Sequence, residues 1–188
     1  FCPYYARCAP ALFQRQRLGK FIGELDQVWH QPRGVCLVIS PWNFPLAICC
    51  GMTVAALVCG NTVVVKPAEQ TPASILILMD LIGDLLPPGV VNIVNGYGIE
   101  AGQALATSKR IAKIAFTGST GVGRAIAKAA ADSNLKRVTL ELGGKSPMIV
   151  LPDADLDTAV PALSAGIFSG AGQICTAGSR MYVHEKVF

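Results

Sequence analysis

From residue 35 onward, short unbroken apolar runs alternate with longer stretches of helical character, and this rhythm restricts the chain to few folds. Residues 35–40 (VCLVIS), 62–66 (TVVVK), 90–94 and 111–116 read as strands, with further strands at 137–142 and 148–150. Between them, residues 46–59 predict a helix packed on all sides. A second helix should start with Thr71 as N-cap and Pro72 at its first position, and end before Pro87, Pro88 and Gly89. A short helix is expected at 99–107 and an alanine-rich one at 120–131, opened by the glycines of GSTGVG. The last runs from Asp155 to about residue 168, with Asp153, Asp155 and Asp157 near its positive end. Continuous apolar strands are expected where both sheet faces are covered, and helical crossovers join parallel neighbours. The expected class is α/β, a doubly wound parallel sheet. The rhythm stops near Gly143 and Gly144.

Composition narrows the function. The 188 residues, 52% hydrophobic and 15% charged, suffice for one core-forming domain and at most the edge of another. The net charge of +4 is mild and its basic residues are scattered, so no nucleic-acid partner is expected. Seven cysteines without a CxxC pair, two of them adjacent (Cys49, Cys50), and two distant histidines (His30, His184) argue against a disulfide framework and a metal site. Reduced thiols suit the cytoplasm. The apolar run 46–60 falls short of the roughly 20 residues of a bilayer span, so no membrane partner is expected. No secretory signal is visible, and Phe1 as first residue leaves room for preceding chain. Residues 11–29 read as an amphipathic helix.

Five places combine reactive side chains with suitable surroundings. Phe116 to Gly123 (FTGSTGVG) follows a strand and opens a helix, where backbone N–H groups and the helix dipole attract phosphate. It lacks GxGxxG spacing, and on its own it reads equally as a phosphate loop or a tight turn. In Pro41-Trp42-Asn43-Phe44-Pro45, two prolines pin an amide past the end of a strand; Asn43 is a candidate oxyanion donor or a turn cap. Lys66 and Glu69 follow the next strand, suited to ribose hydroxyls or to a solvated loop pair. Glu141, between Leu140 and Leu142, is either a partly desolvated general base or an ion-pair partner of Lys145. Cys175 sits among small residues in GQICTAGSR, open to a substrate, whereas Cys36, Cys49, Cys50 and Cys59 lie in apolar runs that suit buried thiols.

The segments PWNFP, GNTVVVKPAEQTP, PPGVVNIVNGYG, FTGSTGVG, VTLELGGKSP and GQICTAGSR, in this order over residues 31–188, resemble the aldehyde dehydrogenase superfamily. The resemblance implies Cys175 as nucleophile, Glu141 as general base and Asn43 as oxyanion donor together with the Cys175 backbone N–H. It implies Lys66 and Glu69 at the adenosine ribose of NAD and Ser119, beside Gly118, at the pyrophosphate. Ile39, Trp42, Gly98, Val122 and Leu142 would line the cofactor. An acidic residue at position 69 would repel a 2′-phosphate and so favour NAD over NADP. The implied domains are a poorly matching segment 1–30, an incomplete NAD-binding α/β domain 31–142 and the start of a catalytic domain 143–188. A dimerisation hairpin is implied within 1–30, a homo-oligomer for the full-length protein, and further chain on both sides. The opening resembles the aldehyde dehydrogenase module of bifunctional proline catabolism enzymes, residues 76–116 acetaldehyde dehydrogenases, and the end broad-specificity members.

Three functions compete. The first is oxidation of an aldehyde to a carboxylic acid, with hydride transfer to NAD through a cysteine thiohemiacetal and thioester. The second is a non-catalytic NAD-binding or structural fragment of the same fold, and with half the site missing these 188 residues alone would turn over little. The third is a CoA-acylating relative, against which Glu141 argues, because such relatives generally lack that base.

Overall fold

The computed structural model describes every residue from Phe1 to Phe188, and the chain divides into two compact units. The first comprises Phe1–Thr117 and Gly121–Leu140; the second comprises Gly118–Thr120 and Glu141–Phe188.

The first unit opens with helix α1 (Cys2–Leu12) and two short strands, β1 (Gln16–Arg17) and β2 (Gln27–Val28), paired antiparallel with Gln16 opposite Val28. Apart from Ala11 and Leu12, which end α1, residues 11–29 therefore hold a small hairpin and not the helix expected from their apolar spacing. Gly23, at φ +90°, takes a left-handed turn that a helix interior does not allow, and the Leu18 N–H donates to the Asp26 carbonyl at 2.9 Å to close the hairpin.

The α/β rhythm then unfolds as β3 (Val35–Ile39), α2 (Ala47–Val58), β4 (Thr62–Lys66), α3 (Ala73–Ile82) and β5 (Val91–Ile93). It continues through α4 (Gln103–Thr107), β6 (Lys113–Thr117), α5 (Thr120–Ala131) and β7 (Arg137–Glu141). The strand order is β5-β4-β3-β6-β7, and the β5–β4, β4–β3 and β3–β6 pairs are parallel. The chain starts at the central β3, moves out through β4 and β5, then returns to build the other side. Such a reversal opens a crevice at the carboxyl ends of the central strands.

The core explains why the apolar runs had no alternation. Leu37, Val38, Val63, Val65 and Ile114 are at most 1% exposed, so neighbours on opposite faces of one strand are both covered. On one face Val38, Val63 and Val65 pack with Cys49 of α2 and Ile75 of α3. Burial of each such aliphatic side chain contributes about 1.5–3 kcal/mol.

Two helix starts differ from expectation. Helix α3 begins at Ala73 with Pro72 as N-cap and no side-chain cap. Thr71 does not cap it, because its hydroxyl donates to the Trp42 carbonyl at 3.3 Å. The helix expected at 99–107 opens instead with a wide π turn, Gly98–Gly102, before α4.

In the second unit, β8 (Pro147–Val150) and β9 (Arg180–Val183) pair in parallel, Pro147 opposite Arg180, and α6 (Leu156–Phe168) crosses between them. Asp155 caps α6: its carboxylate accepts from the Asp157 N–H at 3.2 Å and from the Thr158 hydroxyl at 2.6 Å. Val150 and Ala177 are the only buried hydrophobic residues of this unit, and α6 buries none. No helix of the chain is long and apolar enough to cross a membrane.

Candidate active site

The first unit presents its candidates along one sheet edge. Ile39 pairs with both Lys66 and Phe116, so β3, β4 and β6 end nearly level. Ile39 is buried at the end of β3, and the Ser40 N–H donates to the Lys66 carbonyl at 3.2 Å, extending the ladder by one bond. The loop that follows carries Pro41, the exposed Trp42 and the half-buried Asn43, held from α3's side by the Thr71 hydroxyl.

Lys66 is the least expected member of this edge. It is only 3% exposed, yet its Nζ reaches the strand end and donates to Glu69 Oε2 at 2.9 Å. The Lys66 ammonium holds the Glu69 carboxyl below its ordinary pKa. Glu69 itself remains exposed. The two are thus an ordered pair with a buried cation and an open carboxylate, not a solvated loop pair. Gly98 is exposed at the start of the turn after β5, and a Cβ there would meet nothing within 4 Å. Val122 is exposed in the first turn of α5.

The second unit holds Gly118, Ser119, Glu141, Leu142 and Cys175. The Gly118 N–H donates to the Glu141 carbonyl at 3.0 Å, tying the glycine loop to the end of β7. Leu142 is half-buried, whereas Glu141 is exposed, contrary to the partial burial expected for a carboxylate between two leucines. The cause is local: β7 is an edge strand on which only Val138 is even half-covered. The alternative ion pair with Lys145 is absent as well; the chain's one salt bridge joins Lys66 and Glu69.

Cys175 lies half-buried in a tight turn closed by the Ala177 N–H on the Ile174 carbonyl at 3.0 Å. Three successive left-handed residues lead into it: Gly170 (φ 57°), Ala171 (φ 56°) and Gly172 (φ 74°). Ala171 has a Cβ in a conformation that costs such residues roughly 1–2 kcal/mol. Behind the turn, Ala177 and Gly178 are buried, and the Gly178 N–H donates to the Gly166 carbonyl of α6 at 3.1 Å. Burial pushes the thiols of Cys36, Cys49 and Cys50 up, disfavouring the thiolate that a nucleophile needs.

Two residues that sequence reasoning passed over join the Glu141 and Cys175 loops. A Cβ on Gly144 would stand 2.7 Å from the Cys175 carbonyl oxygen, so only a glycine lets the two backbones approach. Arg180 donates through Nε to the Lys145 carbonyl at 2.7 Å, and its N–H donates to the Ser146 carbonyl at 3.3 Å. Both lie inside quoted motifs (GGK and GSR) but carry no reactive group, and only their contacts single them out.

The sequence model of the aldehyde dehydrogenase family matches residues 1–188. The chain belongs to the aldehyde dehydrogenase family. Retinaldehyde dehydrogenase 3 of Mus musculus is 57% identical over 160 residues, covering 85% of this chain and 31% of the relative. Retinal dehydrogenase 2 of Homo sapiens is 58% identical over the same extent. The aldehyde dehydrogenase chain thus spans about a third of the length of these curated relatives. Among solved structures, the NAD+ complex of an aldehyde dehydrogenase from Bacillus cereus superposes with a TM-score of 0.93 at 46% identity, covering 97% of this chain and 37% of that one. Proline utilization A from Bdellovibrio bacteriovorus, inactivated by N-propargylglycine, gives 0.93 at 44% identity, covering 98% of this chain and 20% of that one.

Proposed function

We propose that this segment carries the NAD-holding edge and the nucleophile-bearing unit of an NAD-dependent aldehyde dehydrogenase, which oxidises an aldehyde to a carboxylic acid. One observation carries the proposal: the loop after Glu141 touches the backbone of Cys175, so the candidate base, at the end of β7, and the candidate nucleophile belong to one unit and are joined through that loop.

The residues present fit a dinucleotide. An exposed carboxylate anchored by a buried lysine is a suitable acceptor and donor pair for ribose hydroxyls, and it disfavours a 2′-phosphate. We assign Lys66 and Glu69 to the adenosine ribose and Gly118 and Ser119 to the pyrophosphate. Ile39, Trp42, Gly98, Val122 and Leu142 would line the cofactor. When bound, NAD supplies the hydride acceptor.

The chain's own groups do the rest. The Cys175 thiolate adds to the aldehyde carbon, and the carbonyl oxygen becomes the alkoxide of a thiohemiacetal. The Cys175 backbone N–H and, on its motif, the Asn43 amide donate to that alkoxide. Loss of hydride from the former aldehyde carbon leaves a thioester on Cys175. Glu141 takes a proton from water, the resulting hydroxide attacks the thioester, and the acid leaves with the thiolate regenerated. The exposure of Glu141 leaves it accessible to that water. Residues 31–142 and 143–188 would be the NAD-binding and catalytic portions of a larger cytoplasmic homo-oligomer. The test is NADH formation at 340 nm by the full-length protein with a panel of small aldehydes: Cys175→Ala should abolish it, and normal turnover by that variant would overturn the assignment.

A further inference from the structure

We propose that Arg180 is a positioning residue that, with Gly144, holds the Glu141 loop against the Cys175 turn; this rests on the roles proposed for Cys175 and Glu141. Glu141 ends β7 and Cys175 lies on a turn, and the loops that follow them enter the β8–β9 pair six and five residues later, at Pro147 and Arg180. A strand pair sets register only where it begins, so loops of that length need their own fastening if two side chains are to keep a working distance.

The structure supplies two fastenings. At the base, the Arg180 guanidinium donates to the Lys145 carbonyl through Nε at 2.7 Å, while its NH1 donates to the Tyr182 hydroxyl at 3.3 Å. Its guanidinium also lies 5.9 Å from the Tyr182 ring centroid. Tyr182 therefore orients the guanidinium that grips the Glu141 loop. A planar, always charged fork suits this task, since one donor can serve the loop carbonyl while another meets the phenol. At the tip, Gly144 sits against the Cys175 carbonyl at a separation that any Cβ would violate, and the atom in the way is backbone, which cannot swing aside. Arg180 pulls the loop in from one side, and the missing side chain of Gly144 lets it close on the other. Neither residue supplies a reacting atom. NAD affinity is the control, because neither Arg180 nor Gly144 is among the residues assigned to the cofactor.

The experiment uses the full-length protein and four variants: Arg180→Ala, Arg180→Lys, Gly144→Ala and Cys175→Ala. Turnover is measured with a saturating aldehyde, and NAD affinity and stoichiometry are measured by titration. With Arg180→Ala, kcat per NAD-binding site should fall about tenfold to a hundredfold, the scale of small misplacements of catalytic groups, while Kd and stoichiometry for NAD stay within twofold of wild type. Arg180→Lys keeps one donor for the Lys145 carbonyl and should recover part of the loss. Gly144→Ala should lower kcat per site comparably. If kcat per NAD-binding site is unchanged in Arg180→Ala, or if turnover falls only in proportion to NAD stoichiometry, the positioning role is wrong and Arg180 is merely structural. No recovery with lysine would likewise overturn the carbonyl grip. Cys175→Ala separates the two levels: if it turns over, the underlying mechanism fails; if it is inactive while Arg180→Ala is normal, only the positioning role fails.

Discussion

The two units bury themselves to very different degrees. In the first, Leu37, Val38, Val63, Val65 and Ile114 are essentially inaccessible to water, and the candidate ribose pair stands where this sheet ends, Lys66 as the last residue of β4 and Glu69 just past it. In the second, only Val150 and Ala177 are buried among the hydrophobic residues, and the candidate nucleophile stands on a turn fastened by backbone bonds and glycines. The placement of the ribose pair thus rests on packing, whereas nucleophile placement rests on local geometry. Binding residues on the sheet edge should tolerate little change in the core beneath them, and the Cys175 turn should respond most to changes of glycine, cap and hydrogen bond.

The largest test of this division sets one variant from each unit side by side in the full-length protein. Lys66→Ala should raise the KM for NAD about tenfold to a hundredfold, the range for losing charge-assisted hydrogen bonds, with kcat at saturating NAD changed far less. Cys175→Ala should do the reverse, removing turnover by more than about a thousandfold while leaving NAD affinity within twofold. Loss of NAD affinity in the cysteine variant would break the division.

Stability should follow burial in the same pattern. Leu37→Ala removes a side chain at 0% exposure and should cost about 2–5 kcal/mol in urea unfolding. Phe168→Ala, at the exposed end of α6, should change stability by no more than about 0.5 kcal/mol. A large loss from Phe168→Ala would show that α6 is packed against something in the full-length protein, and would sharpen the contrast into one between self-sufficient and dependent units.

How far the sequence revealed each unit follows from the same difference. Strands β3, β4 and β6 were legible because both faces are covered, which leaves continuous apolar runs, and α5 because glycines mark its start. Strand β9 was not foreseen: four residues, Arg180 to Val183, with three of them exposed, leave no apolar run to notice. Residues 11–29 misled because Leu18, Phe21, Ile22 and Leu25 recur at helical spacing although they are exposed around a glycine turn. In the candidate site, residue types were legible but environments were not. Nothing in the sequence told whether Lys66 was solvated, and Glu141 gave the opposite error, since an edge strand leaves uncovered what flanking leucines suggested was buried. Gly144 and Arg180 act through contacts with backbone atoms, which no side-chain pattern announces.

The smallest expected effect concerns pH. The Lys66 ammonium depresses the Glu69 pKa in the folded state, so the unfolded chain binds the proton more readily. The pair's stabilisation is then present above the unfolded value of about 4.3 and is lost as pH falls through the lower, folded value. Because Glu69 is exposed, the contribution should be under about 1 kcal/mol. The stability difference between wild type and Glu69→Gln should vanish in acid and reach its plateau near neutral pH; a difference that grows as pH falls would contradict the pairing.

The most direct measurement is to trap the acyl group. The full-length Glu141→Gln variant, lacking the proposed base for water, is mixed with a small aldehyde and NAD, quenched in acid and digested for mass spectrometry. The expected result is one acyl mass on the peptide containing Cys175, dependent on NAD and absent from the other six cysteines. Acyl label on a different cysteine, or NADH formed with Cys175 unmodified throughout, would contradict covalent catalysis at this turn.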